Sequence, residues 1–325
     1  MKRFSVFGLC AMMLGSTLLP DYSVAQQESY PEKPITLLIP YGAGGASDQV
    51  ARALADAAKK HLRQPVVVVN RPGESGTRAI AEALGATPDG YTLAWGTEGT
   101  LTVQPHRTHL PYGGPDTYVP VAKLTAVSNV LVVRAGAPWK TAEQFLNDAR
   151  AHPGELSVGV PDVATVAHLN AEQLQLLGKV RFRVVNFDAP QQVPAALGGE
   201  VDAAVAAFTT IASYVKEHKA VALGVFGRRR WTVAPDVPTF KELGFDVTLP
   251  GSFGAIVAPR GTPAHIVTTL NEAIKKAVAE SSFISFAEIR GTTIDYQGPK
   301  GLARELGREF EANGELLRVL GLTQK

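Results

Sequence analysis

Short apolar runs rich in branched residues alternate along this chain with longer stretches whose apolar positions recur every three or four residues. Ile35–Ile39 reads as a buried strand, too short for a helix. Val50, Leu54, Ala58 and Leu62 then share one helical face. Val66–Val69 predicts a second strand, Thr77–Leu84 a helix, and the Pro88-Asp89-Gly90 turn leads into a strand over Tyr91–Trp95. Further on, Val130–Val133 passes through Gly136-Ala137-Pro138 into a helix capped by Thr141, with Gln144 completing a capping box. A similar unit runs from Gly254–Val257 through Gly261-Thr262-Pro263, with Pro263 suited to the first turn of its helix. Val221–Phe226 is strand-like. From Pro263 to Leu322 the pattern is mainly helical, with Leu270, Ile274 and Val278 on one stripe and Leu306, Phe310 and Leu317 on another. Alternating strands and helices predict an α/β protein built on parallel pairing.

The turn between the first strand and helix carries the first candidate chemistry. Gly42, Gly44 and Gly45 allow positive φ and close approach of the backbone to a ligand. Opening onto a helix N-terminus, they aim free amides and the positive end of the dipole at one point, a cradle for an anion such as a carboxylate. A dinucleotide fingerprint would need glycine at position 47, where Ser47 stands, and an acid after the second strand, which ends in Asn70-Arg71. A plain tight turn without a ligand is the other alternative.

Composition places the chain outside the cytoplasm. Lys2 and Arg3 precede an apolar stretch from Phe4 to Leu19, and Ser23-Val24-Ala25 is a small-x-small cleavage site, so residues 1–25 read as a signal peptide and the mature chain begins at Gln26. The single cysteine, Cys10, leaves with it, which removes disulfides, a thiol nucleophile and cysteine metal sites. No later segment is apolar for long enough to span a membrane. The net charge of +2 drops by one unit when Lys2, Arg3 and Asp21 are lost, which argues against nucleic acid or an anionic membrane as partner. Arg228-Arg229-Arg230 is the only basic run and reads as a solvated loop. About 300 mature residues imply two domains. The two strand–Gly–Pro–helix units suggest a discontinuous first domain, residues 26–127 plus 251–325, with residues 128–250 as the second.

Catalysis finds no support. Gly73-Glu-Ser-Gly76 lacks the glycine at 77 that a nucleophile elbow needs, since Thr77 stands there. His106 and His109 form H-x-x-H without a third ligand close by, and His168 reads as a helical residue whose polar edge meets a backbone group. Glu200 and Asp202, on either side of Val201, are not read as a carboxylate dyad. No catalytic residue, metal site or cofactor is expected.

Six ordered motifs carry a family resemblance: Tyr30-Pro-x-Lys-Pro-Ile, Pro40-Tyr-x-x-Gly-Gly-x-x-Asp48-x-x-Ala-Arg52, Asn70-Arg-Pro-Gly73, Pro88-Asp-Gly-Tyr-Thr-Leu93, Pro235-Asp-Val-Pro-Thr239 and Ala258-Pro-x-Gly-Thr-Pro263. The chain resembles the receptors of tripartite tricarboxylate transporters, the Bug family of solute-binding proteins. The resemblance implies a two-domain periplasmic-binding-protein-like (type II) α/β fold, each domain a mainly parallel sheet flanked by helices, with two crossing segments at a hinge. It further implies a monomeric periplasmic receptor that closes on a small organic acid and hands it to a membrane permease. A sensory adaptor for a histidine kinase would use the same cleft, and a small-molecule enzyme on this scaffold is a weaker alternative. In this frame Gly42, Ala43, Gly44, Gly45 and Ser47 hold a ligand carboxylate, Tyr41 leans on the ligand or the opposite lip, and Asp48 serves the helix dipole. Thr97 and Thr100, after the third strand, either donate to the ligand or cap their turn.

The second domain departs from the family pattern. Relatives carry a Gly/Ser-rich turn where this chain has Val158-Gly-Val-Pro-Asp-Val-Ala-Thr165, so Val160 and its neighbours Pro161 and Val163 offer fewer donors, while Asp162 adds a carboxylate and Thr165 keeps a hydroxyl. Asn186 lies in a segment, Val185–Ala189, that is commonly Val-Pro-Tyr-Lys-Gly. Ala206 stands where relatives have an acid able to pair with an ammonium, and Phe253 where many have tryptophan. These changes fit an aromatic or hydroxylated monocarboxylate better than citrate or an acidic amino acid; the alternative is that Val160, Pro161 and Asp162 are rim residues facing solvent.

Overall fold

The computed structural model describes Met1 and residues 30–188, 191–231, 234–247 and 249–324. The signal-peptide segment, the cleavage site with Gln26, and Ala189 lie outside the described residues. Residues 31–325 form one compact unit.

In chain order the first elements are β1 (Ile35–Ile39), α1 (Ala46–Leu62), β2 (Val66–Asn70), α2 (Thr77–Leu84), β3 (Thr92–Gly96) and α3 (Gln104–Arg107). A wide π-turn, Gly99–Val103, links β3 to α3. Next come β4 (Tyr118–Val127), β5 (Asn129–Arg134), α4 (Ala142–Ala151), β6 (Ser157–Pro161), α5 (Val166–Gly178), β7 (Arg183–Phe187) and α6 (Gln192–Gly198). The remainder is β8 (Ala203–Ala207), α7 (Phe208–Lys216), β9 (Ala220–Val225), β10 (Ser252–Pro259), α8 (Ala264–Val278), α9 (Ser281–Arg290), β11 (Thr293–Gln297) and α10 (Pro299–Val319).

Two sheets result, ordered β11-β4-β10-β3-β1-β2 and β7-β6-β8-β5-β9. Parallel pairing holds for β2-β1-β3 and for β7-β6-β8, where each strand is followed by a crossover helix. Each sheet is nevertheless mixed rather than mainly parallel. The strand that arrives from the other sheet, β10 in the first and β5 in the second, pairs antiparallel on both sides. A chain that crosses between the sheets enters the receiving sheet from the carboxyl ends of the parallel strands, so it runs against them. β11 adds another antiparallel strand within the stretch expected to be helical.

Local signals are realised where short-range physics controls them. Val50, Leu54, Ala58 and Leu62 of α1 are all buried. The Thr141 hydroxyl accepts the Gln144 amide at 3.2 Å, while the Gln144 side chain takes the Lys140 amide rather than closing the box on Thr141 itself. Pro263 sits one residue earlier than expected, as N-cap of α8.

Each sheet carries buried apolar packing: Leu38, Ile80, Leu101 and Val257 cluster on the first, while on the second Leu131, Val158, Val160 and Leu174 form one cluster and Val132, Val193, Ala204, Ala206 and Ile211 another. A further cluster joins the parts served by the two sheets: Val103 of the π-turn, Ala164, Val166 and Leu169 at the start of α5, and Leu316 and Leu317 of α10. The crossings lie side by side, with Ser252 paired to Val127. Asn170 of α5, fully buried, staples both: it accepts from Asn129 and donates to the Leu249 carbonyl, each at 2.8 Å.

Candidate functional site

The carboxyl ends of β1 and β3 place two loops together. Gly42, Ala43, Gly44 and Gly45 are solvent-exposed and Ser47 is half-buried. Gly44 has φ +80°, a conformation that glycine adopts without strain. Gly45 is the N-cap of α1 and no side chain caps the helix, so its first amides face outward without an intrahelical partner. A polar girdle centred on the buried Asp48 holds this turn. The Asp48 carboxylate accepts the Gly44 amide at 2.8 Å, the Asn70 amide nitrogen at 2.9 Å and Arg52 Nε at 3.1 Å. Asn70 also donates to the Tyr41 carbonyl and accepts from Arg52. The Arg52 hydrogen bonds, more than offsetting burial, hold the Asp48 carboxyl below the ordinary aspartate range. Its negative charge is thus neutralised behind the turn, and the exposed side keeps the positive helix end.

Tyr41 spans the two loops. Its ring is 37% exposed while its hydroxyl is turned inward to Thr97 Oγ1 at 3.1 Å. Desolvation, then the charge of Glu98, pushes the phenol up to about 12, so it stays a neutral hydroxyl at any physiological pH. Thr97 and Thr100 are buried and largely satisfy each other: the Thr97 amide donates to Thr100 Oγ1 at 3.0 Å, and that hydroxyl donates to the Thr97 carbonyl. Turn capping therefore occupies both hydroxyls. Behind them Glu98, also buried, accepts the Phe253 amide at 2.9 Å and the Ser252 hydroxyl, and burial raises its carboxyl.

On the second sheet the loop after β6 carries Asp162 and Val163, both exposed, Val163 to 46%. Val160 and Ala206 are 0% and 1% exposed; their side chains pack into the apolar clusters on the sheet, leaving only backbone near any ligand. Thr165 is the N-cap of α5: its hydroxyl donates to Pro161 O at 2.7 Å and accepts the His168 amide. Asn186 is exposed on β7, in register with Val160. Ala164 adopts φ +61°, unusual for a residue with a Cβ, and its amide donates to His168 Nδ1 at 3.1 Å. That bond needs a neutral imidazole, and burial, followed by the Arg107 charge, holds His168 below its ordinary value.

Several residues matter that pattern reading passed over. Asn70 and Arg52 fasten the glycine turn, and the i, i+4 spacing of Asp48 and Arg52 was the available signal. Arg228 is not merely solvated: its guanidinium lies 3.3 Å from Glu305 and 3.8 Å from Glu309. With Lys123, Phe208, Trp231 and Ser252 it lines a cavity of about 360 Å³ against the crossing segments, separate from the glycine turn. Asp202 does not sit on a strand but before β8, accepting from the Ser157 amide and hydroxyl. His106 Nε2 donates to the Phe310 carbonyl at 2.9 Å, and among the described residues no group of three His, Cys, Asp or Glu could hold a metal ion. No helix among the described residues is long and apolar enough to cross a membrane.

Two α/β sheets joined by paired crossings are the architecture of periplasmic solute-binding proteins. Residues 50–322 match the model of the tripartite tricarboxylate transporter family receptor, so the chain belongs to that family of periplasmic solute-binding proteins. A protein from Cupriavidus necator, described as a UPF0065 protein in the gbd 5′ region, is 38% identical over 272 residues, 82% of this chain and 80% of that one. The crystal structure of a solute-binding protein of this family from Polaromonas, without ligand, superposes with a TM-score of 0.83 at 30% identity, covering 90% of this chain and all of that one. MatC from Rhodopseudomonas palustris, solved with bound malate, gives 0.70 at 29% identity over 89% of this chain and all of that one.

Proposed function

We propose that this receptor captures one carboxylate of a small organic acid in the Gly42–Ser47 turn and delivers the acid to a membrane permease of the tripartite tricarboxylate class. The observation that carries the reading is the uncapped N-terminus of α1 beneath an exposed glycine turn, with the acid of its first turn, Asp48, already neutralised by Arg52 and Asn70. Backbone amides and ordered water would supply the donors, since the Thr97 and Thr100 hydroxyls are occupied. A relative that holds malate supports a carboxylate ligand.

The opposite lip favours a remainder that is less anionic and partly apolar. Val163 and the Tyr41 ring are exposed, Asp162 would repel a second carboxylate, and Ala206 offers no partner for an ammonium. Residues 26–127 plus 251–325 would form one lobe and 128–250 the other, closing by rotation about the Asn170 staple. A thermal-melt screen tests this against malate, citrate, succinate, adipate, aspartate, benzoate derivatives and short hydroxy acids. A ligand at about a hundred times its Kd adds roughly 2.7 kcal/mol, several degrees at this size. A selective shift by a monocarboxylate is expected. Tight citrate binding with no response to aromatic or hydroxy acids would refute the ligand class, and a flat panel would count against the carboxylate cradle.

A further inference from the structure

The loop that faces the ligand stands on an interior crowded with carboxyl groups. α10 turns Glu305, Glu309 and Asn313, spaced i, i+4 and i+8, toward the first sheet, and all three are at least 97% buried. Glu305 is well served: Lys123 Nζ lies 2.8 Å away, Arg228 at 3.3 Å, and Gln297 donates to its other oxygen. Lys123 is in turn shared with Asp295 at 2.8 Å.

Glu309 is not served. Neither of its carboxyl oxygens has a hydrogen-bond partner among the described residues, and the Arg228 guanidinium stands off at 3.8 Å. The charged and titratable groups that act on it are the Glu305 and Glu98 carboxyls, which push it up, the Lys123 and Arg228 cations, which pull it down, and the buried Tyr118 phenol, whose hydroxyl also lacks a partner among the described residues. A buried carboxylate without donors is costly, and a neutral carboxyl is the economical form. Burial first, then Glu305, pushes Glu309 up to about 8.

Glu98 connects this group to the ligand. It belongs to the loop between Thr97 and Thr100: on one side Thr97 Oγ1 lies 3.1 Å from the Tyr41 hydroxyl, and on the other the Glu98 carbonyl accepts from Thr102 Oγ1 at 2.8 Å, which itself accepts from Asn313, one turn along α10 from Glu309, at 2.9 Å. An anion seated against Tyr41 and the glycine turn adds negative charge at the same place and disfavours ionised carboxyls behind it.

We propose that the receptor binds a proton together with its acid, the proton going to Glu309 on α10 and the charge of the bound carboxylate being conveyed through Glu98. This rests on the cradle reading of the ligand site. No bond of the ligand changes: ionised Glu309 and a solvent proton become a neutral carboxyl as the anion is seated. Near pH 8, where about half of the ligand-free receptor carries ionised Glu309, binding takes up as much as half a proton. Near pH 6, with Glu309 already neutral, it takes up none. Affinity is therefore flat below about pH 7 and falls above it, by at most tenfold per pH unit.

The test has two arms, both on the receptor purified from the periplasm of an expression host. First, carbon-13 NMR of glutamate-labelled protein without ligand should show one carboxyl titrating near pH 8 that is lost in Glu309→Gln. Second, calorimetry with malate, or with the acid giving the largest melt shift if malate gives no heat, is run at pH 6 and pH 8 in buffers of different ionisation enthalpy. Proton uptake is expected at pH 8 only and is abolished in Glu309→Gln, which keeps wild-type affinity at pH 6 because glutamine matches the neutral acid in size. Absence of the titration, no uptake by the wild type at pH 8, or uptake surviving in Glu309→Gln would each overturn the proposal. A carboxyl that titrates near pH 8 while no acid binds would remove the cradle reading and the coupling with it, leaving an isolated buried acid.

Discussion

Replacing Gly76 with alanine should strike both ligand loops from behind. Gly76 precedes α2 at φ +89°, and its amide closes a turn on the Gly73 carbonyl at 2.9 Å. A Cβ there would lie 2.9 Å from Thr100 Cγ2, 3.1 Å from Pro40 Cβ and 3.4 Å from Tyr41 Cε1. Thr100 is fully buried and cannot retreat without moving the loop. The left-handed backbone costs an L-residue about 1–2 kcal/mol. Overpacking of this kind adds about 1–3 kcal/mol. The stiffer unfolded chain returns about 0.4–1 kcal/mol. The net loss is about 1–4.5 kcal/mol, which at roughly 2 °C per kcal/mol lowers the melting temperature by about 2–9 °C. Urea unfolding followed by circular dichroism measures it, and the affinity for a bound acid should fall with it because Tyr41 and Thr100 are displaced. Gly42→Ala is the control, since nothing lies within 4 Å of a Cβ at that position. Its stability should change by less than about 0.5 kcal/mol. A Gly76→Ala protein as stable as the control would refute the steric argument.

Lys123→Met leaves Asp295 without its ammonium and Glu305 with only Arg228 and Gln297, and should cost about 3–5 kcal/mol in chemical denaturation; a change below about 1 kcal/mol would mean the pair is well solvated. The His168–Ala164 bond gives stability a definite pH dependence. The folded-state value lies below the unfolded one of 6.5, so the contribution is complete above pH 6.5 and is lost as pH falls through the folded-state value. Melting curves between pH 7 and 5 should show this loss in the wild type and a smaller one in His168→Gln; parallel curves would show that His168 does not carry it.

The glycine turn and its helix were legible because everything that forms them lies within thirty residues: the branched run of β1, three glycines, and the 3.6-residue period of α1. The same holds for the Thr141 cap, and for His168, whose backbone partner lies four residues away. Family membership was also readable from short motifs that keep their order. The candidate site was legible only in part. Positions on the glycine turn are exposed as a ligand loop requires, whereas the Thr97, Thr100 and Thr165 hydroxyls are consumed by local hydrogen bonds that compete with any ligand.

Sequence alone determined the alternation of strands and helices, and the glycine turn with the helix that follows it, since these follow from propensity and spacing along one stretch of chain. Tertiary structure decided the rest. The antiparallel entry of β5 and β10 depends on where the chain crosses between sheets, which no local pattern encodes. Val160 and Ala206 became core residues because β6 and β8 are interior strands of the second sheet. Lys123 meets Glu305 across 182 residues, and Arg228 reaches the same carboxylate from beyond β9. An ion pair or a crowded carboxyl cluster depends on distances in space, and a linear pattern specifies those only between near neighbours.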